Sequence, residues 1–222
     1  MNLLIINKYL KDKSDSKNFI VYYTKKNDDF GELKKIINDS KPEKIISLDF
    51  ALQTTSHINN GSIVVAKETI SYNSKPINWS IPREDRWMET YEELNKSICD
   101  ILEKHTFEHF IGSGIELENS QNIHKRLKAK KWINDNLSGT YIDNYSSKLN
   151  QFIQNNSLKI SLVRIIHSSF PINQNQSQNS GTWNVIKRFF KELYFYNITS
   201  RKIKNEIIQK KIDIRIFKNK LI

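Results

Sequence analysis

The sequence predicts an α/β fold, a three-layer α/β/α sandwich with a central mixed sheet, formed by residues 1–222 as one domain. Three observations predict it. Short apolar runs alternate with segments of helical spacing, the order expected of a sheet covered by helices. One run, Leu158–Ile166, is apolar enough for a strand buried in such a sheet. The length of 222 residues, with 38% hydrophobic and 27% charged residues, suits one domain with a sizeable core.

Leu3–Ile6 reads as the first strand and Phe19–Tyr23 as the second apolar run. Asp29-Phe-Gly-Glu32 has the form of an N-cap with its partner three residues on. Leu33, Ile36 and Ile37 continue that helix, which stops before Pro42. Ile45–Leu48 and Ser62–Ala66 are strands. After Pro82, the spacing of Trp87, Tyr91, Leu94, Ile98, Ile101 and Leu102 predicts one helix with a single apolar face. Phe107–Ile111 is a strand ending at Gly112-Ser-Gly114. Ser120 caps a basic helix with Ile123 and Leu127 inward. Tyr141–Ile142 is a short strand, and Ser146–Phe152 starts a helix that ends near Asn155. Pro171–Thr182 is a polar loop, and Trp183, Ile186, Phe190 and Leu193 mark a last helix.

Composition bounds the chemistry. Cys99 is the single cysteine, which rules out an internal disulfide or a cysteine cluster for metal. It falls beside an apolar helix face, as a small core residue does. Six glycines leave no P-loop and no GxGxxG, so no phosphate-cradling loop and no cofactor is predicted. No apolar run reaches the ~20 residues needed to span a bilayer. The apolar run in Met1–Lys8 is too short for a signal peptide, and a cytoplasmic location is the expectation. The net charge is +11, unevenly placed: residues 183–222 hold 11 Lys/Arg against 3 Asp/Glu, and the other 182 hold 24 against 21. Three readings of that basic helical segment stay open. It is a solvated helix face, a peripheral contact with an anionic membrane, or a phosphate contact on nucleic acid, the last without any recognised nucleic-acid module.

Ile45–Ala66 carries an apolar strand into a short polar loop, a turn at Asn60-Gly61 and a second strand. It resembles the segment of nucleoside phosphorylases and nucleosidases that reads apolar-Ser-x-Gly-x-Ala-Gly-Gly-Leu, then a polar loop, then x-Gly-Asp-apolar-Val-Val-Ala. Ser47, Ala51, Ile58, Gly61 and Val64-Val65-Ala66 fall in register, while Asp49, Leu52 and Gln53 stand at the family's glycines. A second block, Thr140-Tyr-Ile-Asp-Asn-Tyr-Ser146, is followed by a helix and then Leu162-Val-Arg-Ile-Ile-His-Ser168. It resembles the superfamily's apolar-Asp-Met-Glu-Ser and apolar-Arg-apolar-apolar-Ser-Asp. The basic segment from Trp183 gives the resemblance a hopanoid-associated, adenosylhopane-nucleosidase flavour.

The resemblance implies a phosphorylase/hydrolase-like fold, a nucleoside-like ligand, cleavage of an N-glycosidic bond and a homo-oligomer. That reaction needs an acid on the departing base and acceptors on an oxocarbenium-like sugar. By position, Ala51, Leu52, Asp143, Tyr145 and Ser146 would hold the ligand. His167 and Ser168 would serve the base, and Asp12 stands near the position of the water-activating carboxylate. Tyr145 replaces the family's ribose-binding Glu and Ser168 its base-binding Asp. Two readings follow: a changed active site with His167 as proton donor, or a catalytically inactive ligand-binding protein on the same scaffold. His105-Thr-Phe-Glu-His109 matches H-x-x-E-H, but the helix is expected to end near Lys104, so no metal site is predicted.

Overall fold

The structure is a computed structural model and describes residues 2–7, 19–24, 28–55, 57–59, 61–72, 80–104, 106–117 and 132–167. Eight strands form one mixed sheet. They are β1 (Leu3–Asn7), β2 (Ile20–Thr24), β3 (Ile45–Gln53), β4 (Ile63–Tyr72), β5 (Met88–Glu89), β6 (His109–Leu117), β7 (Tyr141–Asp143) and β8 (Ile160–His167). The described helices are α1 (Gly31–Ser40), α2 (Arg83–Arg86), α3 (Glu92–Lys104), α4 (residues 132–137) and α5 (Ser146–Asn155). Asp12, Ser168, the basic helix expected at Ser120–Leu127, the loop at Pro171–Thr182 and the segment 183–222 lie outside the described residues, as does His105.

Strand β1 lies parallel between β2 and β3. β8 then bridges the sheet: it runs parallel to β3 from Ile45↔Ile160 to Leu52↔His167, and antiparallel to β4 from Ile63↔Ile165 to Ala66↔Leu162. β4 pairs in parallel with β6, β6 with β7, and β7 turns back antiparallel onto β3 at Leu52↔Ile142. The strands β3, β8, β4, β6 and β7 therefore close on themselves, and the central sheet of the sandwich is partly a barrel.

Period-two alternation sends side chains to two cores. Leu3, Ile5, Ile45, Val64, Leu162 and Ile166 pack beneath Leu33 and Ile37 of α1 and Leu149 and Ile153 of α5. Leu4, Ile6, Ile46, Val65, Val163 and Ile165 pack against Leu94, Ile98 and Leu102 of α3. Helices thus cover both faces, as the three-layer expectation requires. A third cluster joins Leu52, Ile115 and Ile142 to Ile133 and Leu137 of α4.

Three local expectations are corrected. The helix after Pro82 is not continuous. Trp87 is extended (φ −103°, ψ 136°), β5 pairs with Glu68 and Thr69, and α3 begins only at Glu92. Trp87 consequently joins the third cluster, away from Leu94 and Ile98. The cap of α1 shifts by one residue. Phe30 takes the cap position with φ 60°, and Asp29 Oδ1 accepts the Gly31 N–H at 3.0 Å.

The third correction concerns β6, which runs through Gly112 and Gly114 instead of ending there. A Cβ on Gly112 would overlap the Thr140 side chain, and one on Gly114 would overlap the Tyr141 ring and hydroxyl. These glycines are therefore spacers for β7, not strand breakers. Gly114→Ala is expected to cost about 1–3 kcal/mol, the range for overpacking a core. A thermal melt reads this directly, and an unchanged Tm would contradict the close approach of Tyr141.

Candidate functional site

Strands β3, β7 and β8 and the first turn of α5 bring a polar cluster into the α1/α5 face. Alternation along β3 puts Ser47, Asp49 and Ala51 on that face, and along β8 it does the same for Leu162, Arg164 and Ile166. Arg164 is fully buried. A buried guanidinium must be paired and hydrogen-bonded, because desolvating a lone charge costs several kcal/mol.

Here every nitrogen of Arg164 donates. Nε reaches Asp143 Oδ2 at 2.7 Å, and Nη2 reaches Ser146 Oγ at 2.9 Å. Nη1 reaches the Ser47 carbonyl and hydroxyl, each at 3.2 Å, and the Val163 carbonyl at 3.0 Å. Asp143 ends β7 and caps the turn into α5: its Oδ1 accepts the N–H of Ser146 at 3.0 Å and of Tyr145 at 3.3 Å. The Ser146 hydroxyl donates to Asp143 Oδ2 and lies 3.1 Å from the Tyr141 hydroxyl. A carboxylate at a helix N-terminus is electrostatically favoured there.

Tyr145 closes the cluster. Its hydroxyl donates to Asp49 Oδ2 at 2.5 Å, and the Arg164 guanidinium sits 5.2 Å from its ring centroid. Asp49 Oδ1 accepts the Phe50 N–H at 2.6 Å. Burial raises the Asp49 carboxyl above the usual range, against the opposing pull of Arg164 and the Tyr145 hydrogen bond. Burial, then the Asp49 charge, holds the Tyr145 phenol well above its ordinary value, so it is a neutral donor at neutral pH. Burial alone would lower Arg164, but Tyr145, Asp143, Tyr141 and Asp49 raise it overall. The cation is therefore permanent.

Beside this cluster, in register with Asp143, stands Glu116 of β6. It is fully buried. Its Oε2 accepts the Lys148 N–H from the first turn of α5 at 2.7 Å, and Lys148 Nζ lies 3.4 Å from Oε1. Burial, reinforced by the Asp143 charge and opposed by Lys148, pushes this carboxyl up to about 7.

Of the residues expected from sequence, Asp143, Tyr145 and Ser146 come together. Ala51 and Leu52 are on the same strand as Asp49, but Ala51 packs into the core beneath α1 and α5 and Leu52 into the third core. His167 ends β8, opposite Leu52 in register. Arg164, Asp49 and Glu116 are additions. A charge in the middle of the apolar run Leu158–Ile166 was the available signal for Arg164, since such a residue needs buried partners. The H-x-x-E-H pattern does not form a continuous helix: α3 stops at Lys104, and Thr106 has φ 58°. Glu108 instead accepts from Asn59 at 3.0 Å and Ser62 at 2.6 Å. Among the described residues no group of three or more His, Cys, Asp or Glu could hold a metal ion. No described helix is long and apolar enough to cross a membrane.

No family model matches the sequence, and no curated protein matches it. Solved structures do resemble it. The 5'-methylthioadenosine/S-adenosyl homocysteine nucleosidase of Helicobacter pylori, in complex with a pyrrolidinol ligand bearing a pyrrolopyrimidine, superposes with a TM-score of 0.62 at 13% identity, covering 94% of this chain and 98% of that one. The corresponding Campylobacter jejuni nucleosidase gives 0.62 at 12% identity, covering 95% and 97%. Native Helicobacter pylori futalosine hydrolase gives 0.61 at 13%, covering 94% and 98%. The chain shares the fold of these nucleosidases and of the hydrolase.

Proposed function

We propose that this chain is a divergent nucleosidase-type protein. It binds a nucleoside-like ligand beside the C-terminal halves of β3, β7 and β8, and its reaction class is cleavage of a purine nucleoside N-glycosidic bond by water or phosphate. One observation carries the reading. The two motif blocks, about a hundred residues apart, meet in one buried polar cluster: Ser47 and Asp49 from the first bond Arg164 and Tyr145 from the second. In this reading Asp143 and Ser146 set the backbone at the start of α5, the β3 backbone at Ala51 and Leu52 borders the ligand, and His167, with Ser168, supplies the proton to the leaving base. Asp12 activates the water.

A second reading, ligand binding without turnover, is favoured by the Tyr145–Asp49 hydrogen bond. Both residues stand where the resembled motifs carry different ones, and each satisfies the other within the protein. A tyrosine held as a neutral donor is not the anionic acceptor that an oxocarbenium-like sugar requires.

Free-base release from adenosine, inosine and 5'-methylthioadenosine, with and without phosphate, separates the two. Turnover predicts release that His167→Ala abolishes. It also predicts at least a roughly tenfold gain when Asp49→Gly and Tyr145→Glu are combined. Binding of a nucleoside with no release by the wild type establishes the second reading. Neither binding nor release would remove both.

A further inference from the structure

The buried carboxylate of Glu116 lies in a part of the fold that the resembled motifs leave unassigned, and one of its oxygens has only an ion-pair neighbour and no hydrogen bond. Oε2 is fixed by the Lys148 N–H at 2.7 Å. Oε1 is buried without a hydrogen bond, and its cationic neighbour, Lys148 Nζ at 3.4 Å, extends from a half-exposed side chain. A buried acceptor left without a donor loses its hydration with nothing in return, so a ligand donor that completes it recovers that penalty. The parallel register Glu116↔Asp143 puts both carboxylates on one side of adjacent strands, about 5 Å apart at the backbone.

Gln53 adds an independent observation. It opposes Tyr141 across the β3–β7 pair, so it shares the face of Tyr141 and Asp143. Its Oε1 is likewise buried without a hydrogen bond. This end of the sheet therefore offers acceptors in want of donors. Tyr145, which stands at the position of the resembled ribose-binding Glu, commits its hydroxyl proton to Asp49.

We infer that Glu116 Oε1 is the acceptor for a hydroxyl of the ligand's ribose, a role transferred from the Tyr145 position to the neighbouring strand β6. The inference rests on the nucleoside reading above and narrows it to ribonucleosides. A carboxylate suits this task because it accepts without offering a competing donor, and a charge-assisted bond is about twice as strong as a neutral one.

Calorimetric titration of the full chain at pH 8 with adenosine, 2'-deoxyadenosine and 3'-deoxyadenosine tests it. The wild type is expected to bind adenosine about tenfold more tightly than at least one of the deoxy compounds. Glu116→Gln keeps the shape and an acceptor for the Lys148 N–H, and it should bring that ratio close to one. Lys148→Met should leave the ratio in place. Because a ratio of affinities is insensitive to the fraction of folded protein, loss of stability in a variant does not obscure the result.

Unchanged discrimination in Glu116→Gln, or equal wild-type affinity for all three compounds, overturns the Glu116 role and leaves nucleoside binding intact. Failure of the folded wild type to bind any of the three overturns the nucleoside reading, and the Glu116 role with it.

Discussion

Replacing Arg164 by Met is expected to destabilise the protein by about 3–5 kcal/mol, the usual cost of removing one partner of a buried ion pair. The side chain of Arg164 is fully buried, and its ion-pair partner Asp143 is nearly so. Without the guanidinium, Asp143 keeps the Ser146 hydroxyl and two backbone N–H groups but loses its counter-charge. Ser47 and Ser146 lose donors at the same moment. Urea denaturation should report the loss as a lower midpoint. The double variant Arg164→Met/Asp143→Leu should recover part of it, since removing both charges leaves neither uncompensated. A single variant within about 1 kcal/mol of wild type would show that the cluster is solvated, contrary to its burial.

Stability should also fall as pH rises towards neutrality, and Glu116 is one cause. Its folded-state pKa, about 7, lies above the ordinary 4.5. Below the ordinary value both states are protonated and the contribution is complete. Between the two values the unfolded chain releases the proton while the folded one keeps it, so stability is lost until pH passes about 7. The shift corresponds to about 3 kcal/mol. Asp49, raised by burial, adds a contribution of the same sign. Comparing wild type with Glu116→Gln isolates the first carboxyl: their difference in unfolding free energy should change by about 3 kcal/mol from pH 4.5 to 7.5. Parallel pH profiles would mean that Lys148 and the α5 N-terminus stabilise the ionised form far better than burial opposes it.

Much of the fold was legible because its strands and helices obey local rules. The apolar runs at Leu3, Ile45 and Leu158 became β1, β3 and β8, and Ser146–Asn155 became α5 within a residue of its expected end. The failures share a cause: long-range packing overrides local propensity. Gly112 and Gly114 look like punctuation, yet Thr140 and Tyr141, some thirty residues on, need the room that they leave. Trp87 fits the helical spacing of α3, but pairing of Met88 and Glu89 with β4 interrupts the helix first.

The candidate site divides in the same way. Asp143, Tyr145 and Ser146 were readable because they are close neighbours in one motif block. The partnership of Tyr145 with Asp49 was not, since ninety-six positions separate them and neither residue type is the one the resembled motif carries. Glu116 lay hidden behind two glycines that seemed to end its strand.

The bridging position of β8 has a consequence for synthesis on the ribosome. β3 and β4 each take β8 as a neighbour, but β8 is the last described strand to be made. Until residues 160–167 emerge, about ninety residues after β4 is complete, both strands carry unpaired edges rich in Ile, Leu and Val. Such edges are templates for pairing with other chains. The nascent protein is therefore most exposed to aggregation in the interval between β4 and β8, and a stalled or truncated chain ending before Ile160 should depend on holding chaperones far more than the finished one.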